Sequence, residues 1–213
     1  MSDQVYDTLR WTGASYHITA AKGNGLFVPQ EHGLRPVQFM STCRRGYYCR
    51  YAVEAGRLVL TEVHAGLDEQ AAGAAMAGEG PILFGRTPRR YMMHAYRLGG
   101  ISGGQMGRTS LESPDWVYSD LHEPLAFSGG LVVAVDTLAD LYPYSGERPG
   151  YVFALVNELL FEQGRVTRHI DHSADMARLR EHLGRSADQP SGGASSPWKQ
   201  WLLTRGYGSD AAA

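Results

Sequence analysis

Residues 53–65 read VEAGRLVLTEVHA, and residues 161–173 read FEQGRVTRHIDHS. In each, an apolar residue and a glutamate lead into Gly-Arg, with strand-forming residues on both sides. Gly56 and Gly164 stand where a type I turn followed by a left-handed residue closes a hairpin, because glycine takes positive φ without the steric cost of a Cβ. Both stretches therefore read as β-hairpins. The likeness continues: His64 follows Arg57 by seven residues, and His172 follows Arg165 by seven. Two readings of this echo stand side by side. One is a trace of internal duplication, each half contributing a similar meander. The other is two unrelated hairpins that share good turn chemistry.

Outward from these hairpins the chain continues in short alternating segments bounded by Gly, Pro and Ser, the pattern of antiparallel strands. Further strands are expected at Ser15–Ala20, Pro36–Ser41, Tyr47–Val53, Leu58–His64, Pro81–Phe84, Arg90–Leu98, Ala126–Val135, Phe153–Phe161 and Arg165–Asp171. Helices are fewer. Asp68–Ala77 is alanine-rich, and Asp136–Leu141 gives a short turn. Met176, Leu179 and Leu183 recur at helical spacing behind a Ser173 cap, with Gly184 as the stop. The fold class expected is α+β: a curved, mostly antiparallel β-sheet or partial barrel with a few short helices. Residues 1–184 read as one domain and 185–197, RSADQPSGGASSP, as a flexible linker. Residues 198–213 read as a short docking helix with a loose tail.

Composition narrows the function classes. A chain of 213 residues with 43% hydrophobic and 20% charged residues has enough apolar content for a globular core. The longest apolar run, Leu131–Val135, is too short to span a bilayer, and MSDQVYDTLRW lacks the layout of a secretory signal. Cys43 and Cys49 form neither a disulfide framework nor a zinc pattern, so a reduced cytoplasmic setting is expected, with no cofactor and no membrane association. Arginine outnumbers lysine eighteen to two, the bias of a GC-rich bacterial genome and also the better chemistry for planar anion contacts. Net charge is −2, yet Arg35–Arg108 holds ten arginines against five acidic residues. Such a balance argues against a DNA-coating protein and for an acidic partner, protein or nucleic acid.

The binding residues expected are Arg44, Arg45, Tyr47, Arg86, Arg89, Arg90, Tyr91, Tyr96, Arg97 and Arg108, because arginine beside aromatic residues stacks on planar groups and holds carboxylates. An alternative places an enzyme's polar cleft at His169 and Asp171, which share a strand face, with His94 or Glu158 completing it. Zinc catalysis needs three protein ligands, so His169 and Asp171 would have to recruit His64 or His94. A third reading is a β-barrel carrier of a small apolar ligand.

Three motifs come close to known chemistry without completing it. Gly99–Ser110, GGISGGQMGRTS, departs from the phosphate-loop pattern at Ser102 and Arg108. It precedes Leu111–Tyr118, where Pro114 interrupts any helix. Phe127-Ser128-Gly129-Gly130 lacks the first glycine of a nucleophile elbow. Tyr16-His17-Ile18-Thr19 is similar to the Tyr-His-x-Thr stretch with which some ADP-ribosyltransferases hold nicotinamide dinucleotide. That resemblance implies a catalytic glutamate, for which Glu158 is the candidate.

Overall fold

The computed structural model describes residues 5–96, 108–141, 148–185 and 196–208, and for 92–96, 108–114 and 184–185 the backbone alone. It is an α+β fold with ten strands in one mixed sheet and three short helices. The strands are β1 (Thr8–Trp11), β2 (Ala14–Asn24), β3 (Tyr47–Glu54), β4 (Arg57–Ala65), β5 (Arg89–Tyr96), β6 (Arg108–Tyr118), β7 (Glu123–Pro124), β8 (Ser128–Thr137), β9 (Phe153–Glu162) and β10 (Arg165–Asp171). The helices are α1 (Glu69–Met76), α2 (Ser173–Arg185) and α3 (Pro197–Thr204). Two compact units emerge, one of residues 1–27, 49–61 and 122–213, the other of 28–48 and 62–121.

Both expected hairpins are present, with tighter turns than the type I reading supposed. In each the loop is two residues with positive φ throughout: Ala55 (48°) and Gly56 (75°), then Gln163 (47°) and Gly164 (77°). This is the mirror-image turn whose twist matches paired strands. Thr12-Gly13 makes a third such turn, between β1 and β2, and Phe84-Gly85 a fourth, closed by Leu83 and Arg86 alone. The expected strand at 81–84 is thus one bridge, and 36–41 is a loop that hydrogen-bonds Val37 N–H to the Gly66 carbonyl.

In the first unit β10, β9, β8, β2, β1 and β3 are neighbours in that order, with β4 beside β3. β1 and β3 run parallel, while β1–β2, β2–β8, β8–β9 and β9–β10 are antiparallel. β10 then returns to β4 through Arg165 opposite Arg57, closing the path into a ring of seven strands. That closure joins the two look-alike hairpins reciprocally. Leu58 N–H donates to Gly164 O at 2.8 Å and Val166 N–H to Gly56 O at 3.0 Å.

β8 explains why both faces of this sheet are covered. Its LVVAV run is buried at every position from Leu131 to Ala134, as expected of a strand without a polar face. Val132 and Ala134 join Ala20, Val156 and Phe153 beneath Met176 of α2 and Trp198 and Leu202 of α3. Leu131, Val133, Leu159 and Phe161 are buried on the alternate positions. Gly150 lets Trp198 pack closely, since a Cβ there would lie 2.7 Å from the indole. α3 starts with Ser196 accepting Lys199 N–H, beside Pro197.

In the second unit β5 pairs with β6, and β6 with the end of β4, both antiparallel. Pro114 falls within β6, where the register slips between Arg90–Trp116 and Met92–Glu112. The bulge absorbs the residue that has no N–H for the ladder. α1 is capped by Asp68, which accepts Ala71 N–H at 2.8 Å.

Candidate functional site

Nine of the ten residues expected to bind a partner are described, and all nine belong to the second unit. Arg44, Arg45, Arg86 and Arg89 are exposed; Tyr47, Arg90 and Tyr91 are half-buried. Arg45 lies over the Tyr47 ring at 4.6 Å and donates Nε–H to Tyr47 O at 2.7 Å. Arg90 sits over the buried Trp116 indole at 4.8 Å, and Arg86 donates to Asp120 O at 3.1 Å. These guanidiniums are held on aromatic faces and carbonyls instead of swinging freely on long stems. The backbones of His94, Tyr96 and Arg108 lie on β5 and β6, with Tyr96 opposite Arg108. Arg97, residues 98–107, linker residues 186–195 and tail residues 209–213 lie outside the described residues, as do the side chains of His94, Tyr96 and Arg108.

Behind this surface, in the same unit, is a buried polar cluster that the sequence reading missed as a set. His64 Nδ1 lies 2.7 Å from Asp115 Oδ2, both side chains wholly buried. The Tyr48 hydroxyl reaches both, at 2.9 and 3.2 Å, and its ring stacks on the imidazole at 4.3 Å. Glu62 Oε2 approaches His64 Nε2 at 3.3 Å, and Tyr91 meets the ring edge-on at 4.8 Å. Tyr91 is thereby tied to the core of the unit as well as to its Arg-rich strand.

The first unit holds a second cluster of the same kind. His172 Nε2 is 3.0 Å from Glu158 Oε2 and its Nδ1 is 3.1 Å from Asp175 Oδ2. Glu158 also accepts from the Tyr207 hydroxyl at 2.8 Å and faces Lys22 Nζ at 3.4 Å. Burial alone would raise the Glu158 pKa; hydrogen bonds from His172 and Tyr207, with the Lys22 charge, outweigh it and hold the carboxyl at about 2. Burial and the neighbouring carboxylate push the Tyr207 phenol up. So the echo between the hairpins extends to chemistry. Each histidine seven residues beyond the paired arginines is buried between two carboxylates.

The other catalytic candidates take separate places. His169 and Asp171 share a strand face, opposite Leu159 and Asn157. His169 Nε2 is spent on Asn157 Oδ1 at 2.7 Å, and the ring packs edge-on to Trp11. Asp171 accepts Ser173 N–H at 2.8 Å, so it, not Ser173, supplies the first cap of α2, and the bonds from Ser173 lower its pKa. Ser173 Oγ instead accepts Val156 N–H at 3.2 Å. Glu158 follows Asn157 directly and points to the opposite face of β9, where His172 is. His169 and His172 are therefore on opposite sides of the strand. Among the described residues, no group of three or more His, Cys, Asp and Glu side chains is placed to hold a metal.

Of the Tyr-His-x-Thr stretch, Tyr16 packs against Trp11 and His17 against Tyr6 and Phe153. Thr19 is the extra residue of a bulge, its hydroxyl donating to Val132 O at 3.2 Å. Cys43 and Cys49 are buried and free of disulfide. No helix among the described residues is long and apolar enough to cross a membrane. Set against protein-family models, curated proteins and solved structures, the chain matches none.

Proposed function

We propose that this chain is a binding or accessory protein that engages an acidic protein segment through the arginine–aromatic surface around residues 44–47 and 86–91. The observation that supports this most is pre-placement: Arg45 lies on Tyr47 and Arg90 on Trp116, within one compact unit that also exposes Arg44, Arg86 and Arg89. A guanidinium already stacked and hydrogen-bonded loses little freedom on meeting a carboxylate, and its planar fork suits that partner. Charge favours protein over nucleic acid. The unit has three arginines in 28–48 and five in 62–121, against one and seven acidic residues, and is neutral overall. A long polyanion needs a basic footprint, whereas a short acidic segment needs a few fixed arginines.

The test is fluorescence anisotropy with a Glu/Asp-rich labelled peptide and a single-stranded oligonucleotide of matched charge, for wild type and Arg44→Ala/Arg89→Ala. Saturable peptide binding that weakens with salt, and falls about tenfold in the variant (~1.4 kcal/mol), is expected. Equal affinity of both proteins for the peptide, or tighter binding of the oligonucleotide, would remove this reading.

A further inference from the structure

A different feature of the first unit points to a second ligand. Asp175, Arg178, Leu179 and His182 recur at i, i+3, i+4 and i+7 on α2 and so share one face. They line, with Trp201 and Arg205 of α3, an open cavity of about 300 Å³. This is the lower end of the range for small-molecule sites, whose walls combine apolar surface with a few placed polar groups.

The charge in this cavity is unbalanced. Asp175 is the one carboxylate among the lining residues, and it is shared three ways. His172 Nδ1 lies at 3.1 Å, Arg205 Nη2 at 3.1 Å and Arg178 Nη2 at 2.5 Å. Glu158, the other carboxylate on His172, already faces Lys22. Arg205 is fixed in place by the Trp201 ring beneath it at 3.9 Å and by donation to Trp201 O and Thr204 Oγ1. Trp198 covers a face of Trp201 in parallel stacking, so the indole is a rigid support for the arginine. Arg178 is 71% exposed and held at one end by Asp175. Two anchored guanidiniums and one shared carboxylate leave surplus positive charge beside the apolar surface of Leu179 and Trp201.

We infer that this cavity binds a small organic anion, its carboxylate or phosphate head between Arg178 and Arg205 and its apolar body against Leu179. The shared chemistry is a planar or tetrahedral oxyanion, which paired guanidiniums accept in bidentate fashion.

Titration calorimetry of the full chain with phenyl phosphate, benzoate, inorganic phosphate and phenol tests it. Saturable binding of phenyl phosphate or benzoate is expected, and whichever is tighter identifies the head group. Arg178→Gln should weaken that binding at least tenfold; the side chain is exposed and outside the core, and an unchanged melting curve establishes that the fold is kept. Leu179→Ala should weaken phenyl phosphate more than inorganic phosphate. Arg44→Ala/Arg89→Ala should bind these anions as wild type does, which separates this site from the peptide surface. No saturable binding of either organic anion, phenol binding as tightly as they do, inorganic phosphate binding as tightly as phenyl phosphate, or an Arg178→Gln affinity equal to wild type would each overturn the proposal.

Discussion

Glu158 shows how one residue can be both costly to bury and necessary to keep. Its side chain is 5% exposed and is satisfied by Tyr207, His172 and Lys22 together. A neutral amide there removes the carboxylate facing Lys22 and an acceptor shared by His172 and Tyr207, so Glu158→Gln should destabilise the chain by roughly 3–5 kcal/mol, read from chemical denaturation. The pH dependence follows from the direction of the shift. The folded pKa, about 2, lies below the unfolded value, so the stabilisation is present above the ordinary carboxylate range and is lost as pH falls from there toward 2. A titration of unfolding between pH 5 and 2 should show stability falling in wild type and a shallower fall in Glu158→Gln. Parallel curves would show that Glu158 does not carry the acid response. This role was only half legible beforehand. Glu158 and His172 could both be named from the sequence, but Lys22 and Tyr207 are far apart along the chain and only folding brings them to the same carboxylate.

Among the elements, the two hairpins were the most readable because Gly-Arg after a small or polar residue is local turn chemistry. Their exact geometry was not readable, since a type I turn with a left-handed residue and a two-residue mirror-image turn both call for that glycine. The two glycines differ in what surrounds them. A Cβ on Gly56 would meet nothing within 4 Å, whereas on Gly164 it would lie 2.0 Å from Leu125 O. Gly56→Ala should therefore cost about 1 kcal/mol for positive φ alone. Gly164→Ala should cost about 3 kcal/mol or more, because the backbone must also shift. Equal losses in thermal unfolding would mean that the Gly164 turn is not packed against Leu125. β6 and β1 escaped the sequence reading for physical reasons. Pro114 and the glycine run before β6 hide a strand that tolerates proline by bulging, and β1 has only four residues. For α2, the expected cap was two positions off: Asp171→Ala should lower its stability by ~1 kcal/mol.

At the scale of the whole molecule, the α+β class and the partial barrel could be read from strand spacing and turn residues. Closure of the first unit's ring could not, because it depends on a single bridge between residues 57 and 165. Nor could the sequence separate the candidate sites. Strand parity rightly paired His169 with Asp171, but their side chains are taken up by Asn157 and the α2 cap, while Arg44, Arg45, Tyr47, Arg86, Arg89, Arg90 and Tyr91 belong to one compact unit. These residues are the proposed binding surface. Backbone-amide NMR of the full chain during titration with the Glu/Asp-rich peptide tests it most directly. Shifts concentrated at residues 44–47 and 86–91, and lost at high salt, are the predicted result; shifts concentrated in residues 128–185, or none at saturating peptide, would contradict it.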